Sequence, residues 1–474
     1  MLGKIKMKQE FDLVIIGGGA GAFAAAIKAN ELGAKTAFIN SGLPLGGTCV
    51  NVGCVPSKTL LHAAKLLYTA KHHYVPGIEL AVNNADYAAV VADELALVEK
   101  LRAEKYEQVL QGLENITFIE GQAVFVSSNA VKVSEQQIEA AKFIIATGST
   151  AIVPSIEGLT EAGYITHTEA MSLKTVPKRL AVIGAGPVGL ELAQLYARLG
   201  SQVIILQRAN SIMPRAEPAL TERLQQILQD EGMSIKTSVQ VTKVVTENGV
   251  KTVYYSSSAG EESVAVDEIL VAAGKMPNTA SLNLATVGVT VDNKQAVATQ
   301  SNLQTSQPHI YAVGDVTNLP LRLETTAGRE GTYAALNALN GASKSIDYRS
   351  VPWTVFTDPQ LASVGYTEDE QMAELKACAC RTVTFDKLPK ALITRRIEGV
   401  IKIAIHPQTK VIMGAHILAP NAGDLIAQAM VLIKNKNTID DLEDMLPVFP
   451  TLSEAIKLAA MSFTRDVSKM SCCI

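Results

Sequence analysis

Apolar and polar positions along the chain fall into a short pattern that occurs twice. Residues 11–40, "FDLVIIGGGAGAFAAAIKANELGAKTAFIN", run from an apolar strand through a glycine turn into an alanine-rich stretch of helical spacing, then out into a second strand. That is the order and about the length of a βαβ unit. The pattern returns at 180–207, "LAVIGAGPVGLELAQLYARLGSQVIILQ". Three further apolar runs read as buried strands: "FIIATGS" (143–149), "ILVAAGKMPN" (269–278) and "IYAVGDV" (310–316). The first two bracket the second unit as crossovers between domains would, which predicts boundaries near 150 and 278. From about 350 the texture changes to short strands, "GVIKIAIH" and "VIMGAHIL", followed by helices and lacking a glycine fingerprint. The expected fold class is α/β, with two Rossmann-like dinucleotide-binding domains, 1–150 together with 278–349 and 151–277, and a C-terminal α+β domain over 350–474.

The glycine turns carry the first candidate chemistry. Gly17, Gly19 and Ala22 give GxGxxA, and Gly184, Gly186 and Gly189 give GxGxxG. Such glycines allow the turn and let the backbone approach a pyrophosphate, which sits against the helix N-terminus and its exposed amides. One such turn can be plain packing, but two in matching βαβ units imply two dinucleotides. Ala20 in the first turn, Thr147 and Gly148 after the strand at 143, and Gly274 after that at 269 join them as cofactor-binding candidates. Asp315, leaving the strand at 310, is placed to accept a hydrogen bond from a ligand hydroxyl.

Composition narrows the partners. A chain of 474 residues that is 48% hydrophobic folds as several globular domains. A net charge of −4 without a basic block argues against nucleic acid, whose binding rests largely on phosphate neutralisation. The longest apolar stretch, 180–197, is interrupted by Gly184, Gly186, Pro187 and Glu191, so no membrane span is expected. The start, "MLGKIKMKQE", has three lysines but no apolar core of a signal peptide, and a cytoplasmic location is expected. Six cysteines are too few for a disulfide scaffold in a chain of this length. In a reducing compartment, clustered cysteines read as catalytic or metal-binding.

The first pair lies in "GGTCVNVGCVPSK", residues 46–58, with Cys54 two residues before Pro56. The spacing of "PSKTLLHAAKLLYTAKHH" predicts a helix opening at Pro56, whose N-terminal partial charge, with Lys58 in the first turn, favours a thiolate at Cys54. This motif and the order of fingerprints closely resemble the two-cysteine pyridine nucleotide:disulfide oxidoreductases over nearly the whole chain. The resemblance implies FAD in the first dinucleotide domain, NADPH in the second, and a homodimer built through the C-terminal domain. It further implies that Cys49 is the thiol that meets substrate and that Cys54 is the thiolate against the flavin. Lys58 is implied to pair with Glu191 beside that flavin. Gly47 and Thr48 are implied to line the FAD site, Ala123 to touch its adenosine half and Asp315 to bind its ribitol.

Departures from the family pattern are as informative. Asn40 ends the second strand where a glutamate usually meets the ribose. Gln207 is neutral where a relative that prefers NAD carries an acid, and Arg208, with Arg215 further on, can pair with a 2′-phosphate, so NADPH is expected. "FPTLSEA" (449–455) has Phe449 where disulfide reductases of the family keep an acid–base histidine, while Glu454, that histidine's usual partner, remains. None of the seven histidines lies in this segment or pairs at metal-ligand spacing. A thiolate leaving a reduced disulfide must be protonated, and phenylalanine supplies no proton.

The terminal "SCCI" places Cys472 and Cys473 side by side, too close for an unstrained disulfide and suited to a soft cation. It resembles the vicinal cysteine tail of the mercuric reductases in this family. That resemblance implies reduction of Hg(II) to Hg(0) at Cys49 and Cys54, the ion arriving as a thiol complex by way of Cys472 and Cys473 of the partner subunit. All four cysteines are thus candidate metal ligands. A disulfide reductase like thioredoxin reductase or lipoamide dehydrogenase, and a flavoprotein that binds metal or senses redox state without turnover, are the alternatives. Cys378 and Cys380 fit no motif of the family and read as structural or incidental.

Overall fold

The strands of the first glycine unit contain apolar runs, "LVII" at 13–16 and "AFI" at 37–39, whose neighbouring side chains are all buried, as expected of strands covered on both faces. In the computed structural model, which describes residues 9–73 and 75–471, strand β1 (Gln9–Ile16) carries Leu13, Val14 and Ile15 with no exposed surface. The chain divides into two compact units, the first formed by Met1–Ser57, Val91–Ile152 and Gly274–Tyr348. Its sheet adds β2 (Thr36–Asn40), β3 (Ile116–Glu120), β4 (Ala123–Ser127), β5 (Ala130–Val133) and β6 (Gln136–Ile145), in the order β3-β2-β1-β6-β5-β4. β1 runs parallel to β2, with Leu13 opposite Thr36, and parallel to β6, with Leu13 opposite Lys142. The strand Ile310–Ala312 closes against the end of β6, also in parallel.

The alanines at 20–31 have a packing reason. The helix Ala20–Glu31 lies against the helix Glu324–Asn340 so closely that a Cβ on Gly331 would stand 2.0 Å from the carbonyl oxygen of Gly21. Ala22, Ala25, Ala26 and Ala29 share one core with Ala334, Ala335 and Ala338. Small side chains are what such an approach admits.

The second unit comprises Lys58–Val90, Val153–Ala273 and Arg349–Ile474. Its second glycine unit forms a parallel sheet in the order Ser234–Lys236, Gln202–Leu206, Arg179–Ile183, Glu268–Val271, with a three-stranded antiparallel meander following at Gln240–Glu247, Val250–Ser257 and Gly260–Val266. The C-terminal segment is a five-stranded antiparallel sheet ordered Trp353–Val355, Gln360–Gly365, Ile412–Ala419, Val400–Ile405, Ala379–Thr384. Its core takes in the helices Ala422–Lys434 and Glu454–Met461. Among the described residues no helix is long and apolar enough to cross a membrane.

One boundary differs from expectation. The helix predicted to open at Pro56 begins at Cys54 and runs to Lys71, separated from a short helix Gly47–Val52 by Gly53 alone. Pro56 is therefore the third residue of the helix, a position whose N–H has no intrahelical acceptor and whose loss costs nothing there. Cys54 is part of the first turn rather than in front of it.

Candidate active site

Backbone curvature at the glycines creates the site in the first unit. Gly17 has φ +127°, a left-handed conformation, and a Cβ there would meet the carbonyl oxygen of Ala146 at 2.1 Å. Gly19 is open, with only the Cα of Gly47 within 4 Å of such a Cβ. Together they leave a cavity of about 580 Å³ that begins at the N-terminus of the helix Ala20–Glu31. Asn40, Gly121 and Ala123 line it at the strand ends, Thr147, Gly148 and Asp315 further along, and Gly47, Thr48, Cys49 and Cys54 at its sulfur end. Ala20 lines it too, whereas Ala22 is buried in the helix face behind. Arg322 is the single basic side chain among the lining residues, so an anion in the glycine turn meets backbone amides rather than cations.

The two sulfurs are not equally placed. Cys49 is half-buried on the short helix Gly47–Val52, and Cys54 is exposed, so the pair is more open than a buried disulfide site. A hydrogen bond with Cys54, burial, the charge of Cys54 and the Glu324 carboxylate all push the Cys49 thiol far up. Cys49 Sγ donates to Glu324 Oε2, and Tyr106 donates from 3.5 Å to the other oxygen of Glu324. Cys49 Sγ, Cys54 Sγ and a Glu324 oxygen lie within 4.8 Å of one another, a set of three that could hold a metal ion. Neither Glu324 nor Tyr106 was marked by the sequence. Glu324 opens the helix Glu324–Asn340, where an acid reads as ordinary capping, and nothing near Tyr106 in the chain hints at Cys49.

Asp315 accepts from Ser149 Oγ at 2.7 Å, and Thr147 Oγ1 donates to the carbonyl of Asn278 at 2.8 Å, which fixes the loop carrying Gly148. Asn40 turns its amide inward, donating to Leu43 O at 3.0 Å while its Oδ1 occupies the space a side chain at Gly18 would need.

The second unit contains the other fingerprint and the lysine–glutamate pair. Lys58 Nζ donates to Glu191 Oε2 at 2.7 Å and lies 4.6 Å from the centre of the Phe356 ring. Glu191 is buried, and its second oxygen accepts from Phe356 N at 2.8 Å, so both lone-pair sets are used. In the nucleotide loop a Cβ on Gly184 or Gly189 would collide with backbone oxygens, at 2.4 and 2.1 Å, but Gly186 has nothing within 4 Å. Only that middle glycine offers open space to a phosphate. Gln207 Oε1 accepts from Ala185 N and its Nε2 donates to Ser211 O, both at 3.2 Å, tying the strand end to this loop. Arg208 and Arg215 are exposed. Gly274, with φ +121°, turns the chain back into the first unit's residues and does not line the cavity. Phe449 is half exposed, and Glu454, with no imidazole to hold, accepts from Thr451 N at the head of its own helix. Cys472 and Cys473 lie outside the described residues.

Residues 11–335 match the pyridine nucleotide-disulphide oxidoreductase family, and residues 351–460 match that family's dimerisation domain. The chain belongs to the pyridine nucleotide-disulphide oxidoreductases. Among its relatives in that family is the mercuric reductase of Staphylococcus aureus, 41% identical over 467 residues, 98% of this chain and 84% of that one. The mercuric reductase of Streptomyces lividans is 38% identical, with 98% of each chain covered. A Cu(II) complex of the HOCl-induced flavoprotein disulfide reductase RclA from Escherichia coli superposes with a TM-score of 0.86 at 28% identity, covering 97% of this chain and all of the other.

The cofactors of this oxidoreductase family and of its mercuric reductases are FAD and NADPH. The first unit fits FAD: the cavity is of cofactor size, lined by glycine backbone at one end and by sulfur at the other. Asn40 departs from the acid usual at its position but lines the cavity and keeps an acceptor oxygen.

Proposed function

We propose that the chain is an NADPH-dependent, FAD-containing Hg(II) reductase of the cytoplasm, with Cys49 and Cys54 as the ligands on which the ion is reduced. The carrying observation is the sulfur pair at the end of the glycine-lined cavity, together with phenylalanine at the position of the missing acid. In this reading residues 1–150 and 278–349 bind FAD, 151–277 bind NADPH through Gly184, Gly186, Gly189, Arg208 and Arg215, and 350–474 dimerise. When bound, FAD supplies a two-electron link between NADPH and the metal held by the thiols. Cys54 presents the first thiolate to Hg(II). Cys49 gives up its proton as its sulfur bonds the ion, and Glu324, already its hydrogen-bond acceptor, is the nearest base. Two electrons convert Hg(II) to Hg(0), which thiolates do not hold, and both sulfurs are left as they began. Lys58, fixed by buried Glu191, keeps an ammonium on the helix that begins at Cys54.

The homodimer is supported by the match to a dimerisation domain and by apolar side chains left in water. Leu446 is 90% exposed, Val448 75% and Phe449 48%, a cluster that a second copy would cover. Delivery of the thiol-bound ion by Cys472 and Cys473 of the partner subunit belongs to the same reading.

The likeness to a disulfide reductase keeps a second reading in view, and one experiment separates them. NADPH oxidation is measured with Hg(II) in excess thiol, then with lipoamide, glutathione disulfide and thioredoxin. Loss of a positioned acid typically costs about 10²- to 10⁴-fold, so the disulfides should turn over slower by that factor. Disulfide turnover equal to that with Hg(II) sinks the proposal.

A further inference from the structure

The sequence reads Cys378 and Cys380 as structural or incidental, but both sulfurs have a carboxylate beside them. Cys-Ala-Cys enters the strand Ala379–Thr384, and alternation along a strand turns the two outer side chains to the same face. Their sulfurs lie 2.9 Å apart. Across from them the helix Glu368–Leu375 presents Glu368 and, one turn on, Gln371. Glu368 Oε1 is 3.4 Å from Cys378 Sγ, and Gln371 Oε1 is 3.9 Å from Cys380 Sγ. Both sulfurs and the Glu368 oxygen fall within 4.8 Å of one another. The other oxygen of Glu368 is held by the Lys402 ammonium, which also binds Glu217. The carboxylate is thus fixed in place, and part of the negative charge the set would gather is already offset.

We propose that Cys378, Cys380 and Glu368 form a second site for a thiophilic divalent cation, outside the cavity that holds Cys49 and Cys54. Neither sulfur lines that cavity. Metal–sulfur bonds of about 2.3 Å let two sulfurs up to about 4.6 Å apart share one ion, so this pair needs only small side-chain rotations. A disulfide fits less well. Residues two apart on a strand have Cα atoms about 6.6 Å from each other, near the upper limit for the bond. All three groups are half-buried, which shields them from bulk water yet leaves them within reach of a thiol-bound metal. Loading is ligand exchange. Two carrier thiolates leave the ion, take the two cysteine protons and depart as thiols, while two metal–sulfur bonds form and no electrons move. Hg(II) is the cation of this class that the proposed reaction brings to the protein, and an ion held here is stored rather than reduced.

The test uses the full-length flavoprotein with Cys49→Ser, Cys54→Ser, Cys472→Ala and Cys473→Ala, so that Cys378 and Cys380 are the remaining thiols. Cd(II), which is not reduced, and Hg(II) are each titrated in the presence of glutathione, followed by ultraviolet thiolate–metal absorption and by metal content after dialysis. This reads binding alone and does not depend on the protein's being a reductase. The expected result is one ion per chain, lost when Cys378→Ser and Cys380→Ser are added, and weakened about 10-fold or more by Glu368→Gln. Flavin content and far-ultraviolet circular dichroism confirm that each variant is folded. Absence of a stoichiometric ion, or an ion that survives both serine substitutions in folded protein, overturns the proposal. In the otherwise unaltered enzyme the same two serines should leave NADPH turnover unchanged while removing one Hg(II) per chain from what remains bound afterwards.

Discussion

At the scale of single residues, the proposed reading gives Gln207 and Arg208 different parts in choosing a nucleotide. The Gln207 amide is committed to Ala185 and Ser211, so it holds the loop and brings no charge to the site. Arg208 is exposed and available to a 2′-phosphate. NADPH should be used well ahead of NADH, and Arg208→Glu should narrow or invert the ratio of the two kcat/KM values by repelling that phosphate. Equal efficiency with both nucleotides in the unaltered protein would count against the assignment. Residues of this kind stand out in the sequence because their chemistry is local: a glycine that must have positive φ, a cysteine beside a helix start, an arginine after a strand. Glu324 does not, because it meets Cys49 from the far side of the chain, and neither does the approach of Glu368 to Cys378 and Cys380, because Glu368 belongs to another element.

Elements carry the pH dependence, and two buried carboxyls pull it in opposite directions. Asp358 sits between Arg198 and Arg396, each at 3.0 Å, with Lys65 at 3.3 Å. Burial alone raises its pKa, but the three cations outweigh burial and hold it down to about 2. An unfolded aspartate titrates near 3.9, so this stabilisation is complete above about pH 4 and vanishes as the pH falls through about 2. Asp358→Asn should destabilise the protein by about 3–5 kcal/mol at neutral pH, since two arginines lose their counter-charge, and should flatten the acid limb of a denaturant-melt series. Glu94, on the helix Tyr87–Arg102, is 1% exposed, and both of its oxygens lack a hydrogen-bond partner among the described residues. Burial pushes its pKa up to about 7. Its contribution is therefore most favourable below about pH 4 and is lost as the pH rises through about 7. Glu94→Met should raise stability above pH 7 by about 2–3 kcal/mol and leave acid stability nearly unchanged. Melts showing no gain at alkaline pH would mean the carboxylate has a partner in the assembled protein. The hydrophobic pattern made both βαβ units and the C-terminal strands legible, yet it placed the helix start at Pro56 instead of Cys54. Proline marks the first turn of a helix without fixing which of its residues it occupies.

At the scale of the whole molecule, the four cysteines of the proposed mechanism should fail in two ways. Cys49→Ser or Cys54→Ser should abolish reduction of Hg(II) while NADPH still bleaches the bound flavin. Cys472→Ala with Cys473→Ala should leave flavin bleaching intact and sharply lower turnover of thiol-bound Hg(II). If the tail serves the neighbouring subunit, a heterodimer of the two kinds of variant should recover one working site, and no recovery would confine the tail to its own subunit. The order of the sheets along the chain, two glycine units and then a C-terminal antiparallel sheet, was legible from repeats and texture. Which stretches gather into one compact body was less so, since residues 58–90 cluster with the second unit although they follow the first unit's cysteines directly. The same discontinuity bears on how the protein is made. The end of β6 is covered by Ile310–Ala312, and the helix Ala20–Glu31 by Glu324–Asn340. Translation at about 5–20 residues per second leaves roughly ten seconds or more between a newborn strand and its neighbour. During that interval the nascent sheet presents a bare parallel edge and an uncovered alanine face to the cell, so yield in rapid expression should depend on what shelters that edge on the ribosome.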